Sequence, residues 1–137
     1  MPKRGRSLVG AAVGSGIVAR AAEQGGADFI LAINAVRLRS MGAASIACML
    51  PMHDAAQLTL EFANSEILPM TRLPVYVGVN PWNMTKTPAE LAETILEAGF
   101  EGAVNFPTAM HYSRGYRRVL DQAGLGPRAE ISLLRAV

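Results

Sequence analysis

The sequence is poor in the residues that would commit it to several common roles. It has one cysteine, Cys48, so no intramolecular disulfide can form, and a lone thiol fits a reducing compartment such as the cytoplasm. Within "SIACML" that cysteine reads as a small buried hydrophobe rather than a nucleophile. Aromatic residues are only 6% of the chain, and no basic run is interleaved with rings that could stack on bases. A nucleic-acid surface is therefore not expected. The formal charge of +2 says little about partners, because Lys3, Arg4 and Arg6 fall in a basic, disordered N-terminus expected over residues 1–6 and the rest is near neutral. No apolar run reaches the ~18 residues that a membrane span requires. Acidic residues are missing altogether between Asp28 and Asp54.

What is present is enough for one domain. A chain of 137 residues that is 50% hydrophobic can bury a core of its own, so residues 1–137 read as a single unit. The start, "MPKRGR" followed by "LVGAAVGSGIVA" and Ala19-Arg20-Ala21, has the outline of a secretory signal. Three glycines, a serine and a single leucine make a poor apolar region, however, and cleavage there would remove the first strand. The chain is accordingly read as cytoplasmic.

Apolar runs and helical stretches alternate along the sequence. Leu8 to Val13 is a short β-suited run, broken by Gly14-Ser15-Gly16, and Ile17 to Gln24 then reads as a helix stopped by Gly25-Gly26. "DFILAIN" (28–34) and "PVYVGVN" (74–80) are near-continuous apolar runs, the pattern of strands buried on both faces. Asp54 to Leu68 reads as one helix with Pro69 as its stop, and Arg37 to Met52 as a polar loop followed by an ambiguous apolar stretch. Thr87-Pro88-Ala89-Glu90 is a helix start with Thr as N-cap and Glu three residues on. That helix ends at Gly99, "GAVN" (102–105) is a fourth strand, and a last helix runs from Gly115 to Ala123. Four β-α units in succession predict an α/β fold with a parallel sheet. "AAEQGGADFILAIN" and "ILEAGFEGAVN" echo one another, each running from helix through glycine to a strand that ends in Asn.

In parallel α/β folds the working residues gather at the carboxyl ends of strands. Here those ends carry Gly14-Ser15-Gly16, Asn34 with Arg37, Asn80-Pro81-Trp82-Asn83, and Asn105-Phe106-Pro107-Thr108. The stretch Gly14-x-Gly16-x-x-Ala19 matches a dinucleotide-binding loop. Such a site needs an acid about 20 residues on to hold the ribose, and Asn34 stands there instead, so no nucleotide cofactor is expected. Arg37 and Arg39 could clamp a carboxylate or phosphate. Asn34, Asn80, Asn105 and Thr108 could orient a substrate, and Gly14, Ser15 and Gly16 could offer backbone amides. His111 is the candidate general base. Asp54 is first an N-cap and second a candidate metal ligand. Ser15 and Ser45 have no base near in sequence, and "YSRGYRR" reads as the polar face of a helix.

"VGAAVGSGIVARAAEQGGADFILAINAVRLRSMGAAS", "VYVGVN", "GFEGAVNFPT" and "YRRVLDQAGLGPRAEISLLRAV", taken in order, resemble the phosphoenolpyruvate hydrolase-like family of TIM-barrel proteins. The most specific pieces are Asn34-x-x-Arg37-x-Arg39 and Asn105-Phe106-Pro107-Thr108. The resemblance implies a parallel (βα)4 half of a TIM (β/α)8 barrel, since a closed barrel needs eight strands and typically ~250 residues. It also implies a hydrolase or lyase acting on a small phosphorylated or 2-oxo-acid substrate, with Mg²⁺ as the metal. The chain departs from the family's usual pattern at Ala35-Val36 and at Ala43-Ala44, where a further arginine is usual, and Asn80 replaces the acidic metal ligand of the mutase-like relatives. Those departures leave open a non-catalytic binding or regulatory module, or an inactive truncation. The expected partners are a small anionic metabolite and a second copy or complementing half-barrel.

Overall fold

A computed structural model describes residues 7–50, 54–82 and 86–137; the basic segment 1–6, His53 and Asn83 lie outside them. Four strands, β1 (Gly10–Val13), β2 (Phe29–Ala32), β3 (Val75–Val79) and β4 (Gly102–Asn105), form one sheet in the order β1-β2-β3-β4. All three pairings are parallel. The unbroken sequential order decides between the two large parallel architectures. A doubly wound sheet reverses its strand order at a switch point, whereas a barrel adds each strand beside the last. The chain is an α/β half-barrel.

The helices are α1 (Gly16–Gln24), α2 (Asn34–Ser40), α3 (Ala55–Phe62), α4 (Pro88–Glu97), α5 (Arg114–Gln122) and α6 (Pro127–Ala136). Their ends follow local chemistry. Asp54 Oδ1 accepts the Gln57 N–H at 2.9 Å and starts α3. Thr87 and Glu90 form the reciprocal capping box expected from their spacing. Gly26 and Gly99, both at φ +89°, end α1 and α4 in the left-handed conformation that glycine adopts without steric cost.

Three features differ from the sequence expectation. The polar loop expected from Arg37 begins inside a helix, α2, which runs to Ser40 and starts at Asn34, the residue expected to end the second strand. The single helix expected to Leu68 stops being α-helical at Phe62 and continues as a π-helical turn over Ala63–Ile67 and a 3-10 turn over Leu68–Met70. The tail "PRAEISLLRA" is a further helix, α6, with Pro127 in its first turn.

The strands expected to be buried on both faces are buried fully on one. Val13, Ile30, Ala32, Val75, Val77 and Val79 point toward the helices and join Phe62, Ile67, Leu91, Ile95 and Leu133 in the main core. On the other face Phe29, Leu31 and Tyr76 are only half-buried, with Phe29 and Tyr76 edge to face at 6.0 Å. A smaller apolar cluster of Ala35, Cys48 and Met49, with Leu38, Trp82, Phe106 and Tyr112 against it, sits beyond the strand ends.

Candidate functional site at the strand ends

The β1 end is packed solid. A methyl group added at Gly14 would collide with the backbone of Val36 and Arg37, and one added at Gly16 with the Glu66 carbonyl. Both glycines thus admit neighbouring backbone, the start of α2 in one case and the π-helical turn in the other. Ser15 is the N-cap residue of α1, but its hydroxyl makes no capping bond.

Arg37 is the centre of a small network beside this turn. Its guanidinium donates to Glu66 Oε2 at 3.0 Å and Oε1 at 2.7 Å, and to the Gly14 carbonyl at 3.3 Å. It also lies 5.6 Å from the centre of the Phe62 ring. A bidentate Arg–carboxylate pair of this kind is the strong form of ion pair, and it occupies both guanidinium nitrogens that would otherwise clamp an anion. Arg39, two residues on, is exposed. Its positive charge pulls the Cys48 thiol down, but burial outweighs it and the thiol lies above its ordinary range.

The β2 and β3 ends carry the unusual feature. Asn34 is fully buried and Asn80 is 1% exposed. Asn34 Nδ2 reaches the Cys48 carbonyl only at 3.5 Å, and Asn80 Oδ1 accepts the Trp82 N–H at 3.2 Å. That leaves Asn34 Oδ1 and Asn80 Nδ2 buried with no hydrogen-bond partner among the described residues. Leaving such an atom unpaired typically costs about 1–3 kcal/mol, and buried polar atoms are nearly always satisfied by protein, water or ligand. One strand end therefore offers a spare acceptor, the next a spare donor. Over them lies the apolar cluster of Cys48, Met49, Trp82 and Tyr112. The Tyr112 hydroxyl donates to the Met49 carbonyl, and the Trp82 indole N–H donates to the Leu125 carbonyl at 2.8 Å.

The β4 end is the opposite case. Glu130, on α6, is 2% exposed. Its carboxylate accepts from Thr108 Oγ1 at 2.8 Å, from the Ala109 N–H at 2.6 Å and from Asn105 Nδ2 at 3.3 Å. Asn105 and Thr108 are thus tied to a helix of their own chain, across a loop in which Phe106 and Pro107 are joined by a cis peptide. The sequence reading did not single out Glu130. Its signal was an acid on the same face of "PRAEISLLRA" as Leu133, three residues on, where the helix is otherwise apolar. His111 is exposed, and its ring meets Phe106 at 6.1 Å.

Of the candidate metal ligand and its surroundings the structure shows the following. Asp54 spends an oxygen on the α3 cap, and no three His, Cys, Asp or Glu side chains gather as a metal-holding group among the described residues. No helix among them is long and apolar enough to cross a membrane.

The sequential parallel sheet agrees with comparison to known proteins. The family model for "Phosphoenolpyruvate hydrolase-like" proteins matches residues 1–137, the whole chain. This chain belongs to the phosphoenolpyruvate hydrolase-like family. Among curated relatives it is 46% identical over 134 residues to the "Putative transcriptional regulatory protein y4pA" of Sinorhizobium fredii (strain NBRC 101917 / NGR234), covering 98% of this chain and 22% of that protein. It is 34% identical over 134 residues to the "ToMV resistance protein Tm-1(GCR237)" of Solanum lycopersicum, covering 97% and 18%. The "ToMV susceptible protein tm-1(GCR26)" of the same plant is 33% identical over 132 residues, covering 96% and 17%. This phosphoenolpyruvate hydrolase-like chain spans about a fifth of the length of those relatives.

Proposed function

We propose that this chain is a ligand-binding, regulatory half-barrel that reads a small polar metabolite at the carboxyl ends of β2 and β3, in the cytoplasm, rather than a hydrolase or lyase. The observation that carries the reading is the unpaired Asn34 Oδ1 and Asn80 Nδ2. A donor and an acceptor on neighbouring strands suit a small carboxylate that also bears a hydroxyl. A carboxylate oxygen takes the Asn80 N–H, and the hydroxyl donates to Asn34. Arg39, at the end of α2, adds positive charge at long range.

The enzymatic reading, a phosphorylated or 2-oxo-acid substrate clamped by Arg37 and worked on by His111, draws support from the family match. Against it, Arg37 is occupied by Glu66, Asn105 and Thr108 by Glu130, and Asp54 by its helix. A relative carries a regulatory name, which agrees with binding without turnover.

Lactate and pyruvate separate the possibilities, because lactate has the hydroxyl donor and pyruvate lacks it. In ¹⁵N spectra of the side-chain amides, lactate should shift the Asn34 and Asn80 signals at lower concentration than pyruvate does. Neither shift should survive Asn34→Ala. Equal shifts from both ligands, or none from either, would sink the proposed recognition. Release of phosphate from phosphoenolpyruvate above the buffer rate, abolished by His111→Ala, would restore the enzyme.

A further inference from the structure

A concavity of about 340 Å³ lies at the opposite end of the sheet from the buried asparagines, where α1 finishes and the chain turns into β3. Arg20 and Glu23 of α1 line one side of it, and Met70, Thr71 and Arg72 line the other. Its volume is that of a small-molecule site. Glu23 is fixed in place. Its Oε2 accepts Thr71 Oγ1 at 2.9 Å and the Arg72 N–H at 3.1 Å, and Thr71 Oγ1 in turn accepts the Leu73 N–H at 3.1 Å. The second carboxylate oxygen, Oε1, accepts no hydrogen bond among the described residues. Arg20 stands one turn before Glu23 on the same helix face. Even so, neither its guanidinium nor that of Arg72 has a hydrogen bond or ion pair among the described residues.

We infer that this concavity binds a free acidic amino acid, glutamate or aspartate, at a site separate from the strand ends. The charges decide the class of ligand. Two guanidiniums and one carboxylate around a single opening are matched by two carboxylates and one ammonium. The ligand's carboxylates take Arg20 and Arg72, and its ammonium donates to Glu23 Oε1.

Two further features favour that set of charges over a simpler ion. The site lies at the carboxyl end of α1, where the helix dipole favours a cation, and α1 has no basic residue in its last turn to supply one. Inorganic phosphate would use the arginines but meet Glu23 as a like charge, and a diamine would suit Glu23 but be repelled by both arginines. Met70, 37% exposed, offers an apolar wall to the methylene chain between the ligand's charged ends. Both arginines are exposed, so water and salt screen the pairs and the affinity is expected to be weak, in the millimolar range. The inference goes beyond the ligand reading at β2 and β3 and does not rest on it, since the two sites share no residue.

Backbone amide ¹H–¹⁵N spectra at constant pH and ionic strength test the inference with three ligands of similar size. Glutamate carries all three charges, glutarate lacks the ammonium, and glutamine lacks the second carboxylate. Titrated to about 20 mM, a range set by the weakness of screened pairs, glutamate should shift the amides of Glu23, Thr71 and Arg72. Glutarate and glutamine should each bind about fivefold more weakly, the effect of losing one exposed ion pair. Arg20→Gln and Arg72→Gln, which remove exposed side chains that hold no partner, should each weaken glutamate by a similar factor. Arg114→Gln, on α5, removes the same charge elsewhere and should change nothing. The ligand series needs no variant, so it decides the matter even where a substitution disturbs the fold. Absence of any glutamate shift at these amides overturns the inference. So does glutarate or glutamine binding as well as glutamate, or a loss in Arg114→Gln equal to that in Arg20→Gln, which would mark attraction to net charge alone.

Discussion

Asn34 and Asn105 occupy the same place in two echoing segments, each at the carboxyl end of a strand that follows a helix and a glycine turn, yet their surroundings are opposite. Asn105 is held by Glu130, a carboxylate that also gathers Thr108 and the Ala109 amide. Asn34 is fully buried with an orphaned oxygen and one bond at the limit of length. The difference lies in what the chain brings to each end. A helix carrying a buried acid returns over β4, whereas an apolar cluster of Cys48, Met49, Trp82 and Tyr112 covers the β2 end. The same residue type at the same step of a repeat is thus a structural tie at one strand and a buried, unsatisfied group at another. Polar residues at strand ends do not by themselves say which of them are held by their own chain and which are left unsatisfied.

The contrast can be broken most forcefully at Glu130. Replacing it with Ala leaves Thr108 and the Ala109 N–H without their acceptor inside a closed interface, and it opens a cavity beside Leu133. A loss of about 3 kcal/mol is expected from these combined effects, measurable as a lower midpoint in urea denaturation. Glu130→Gln keeps one carbonyl acceptor and should cost less. If Glu130→Ala leaves stability unchanged, the β4 end is not held by this carboxylate and the comparison fails.

The two asparagines give a smaller and more discriminating test. Asn105→Ala removes one outlying donor from a partly exposed network, and a loss of about 0.5–1 kcal/mol follows from an ordinary hydrogen bond. Asn34→Ala deletes an amide whose oxygen is already unpaired, so stability should stay within about 1 kcal/mol of the parent. Binding of lactate, followed by the Asn80 amide signals, should be lost in Asn34→Ala and kept in Asn105→Ala. The reverse pattern would move the binding group to β4.

How much of this was open to reading from the chain follows the range of the interactions. The parallel α/β sheet is written in local patterns: apolar runs of strand length, glycines that end helices, and the Thr87–Glu90 cap. Family resemblance supplied the barrel order that the sheet confirms. The pairing of candidate residues is not local. Arg37 meets Glu66 across 29 residues, and Thr108 meets Glu130 across 22, and neither partner announces itself by spacing. The π-helical turn at Ala63–Ile67 broke an expected helix for a related reason: Glu66 offers its carbonyl to the close approach of Gly16 and its carboxylate to Arg37. Such a turn depends on tertiary packing, which no helical periodicity encodes.

The mildest effect is expected at Cys48, the one residue that touches the comparison without bearing on its polar groups. Burial is the largest influence on this thiol and raises it above its ordinary range, against the opposing pulls of a backbone hydrogen bond and of Arg39. Because a raised acid favours the protonated form in the folded protein, its contribution to stability is complete below the unfolded thiol's pKa and fades as pH climbs through the folded one. The cluster over Asn34 should therefore loosen only on the alkaline side. At pH 8 the native thiol should react with a disulfide reagent such as 5,5′-dithiobis(2-nitrobenzoate) at least tenfold more slowly than the urea-unfolded chain, by its lower thiolate fraction and restricted access. Lactate that binds at Asn34, whose amide reaches the Cys48 carbonyl, should slow it further. Native reactivity equal to that of the unfolded chain would mean that the cover over the β2 end stands open. In that case Asn34 is solvated rather than waiting for a ligand, and its contrast with Asn105 is one of exposure, not of function.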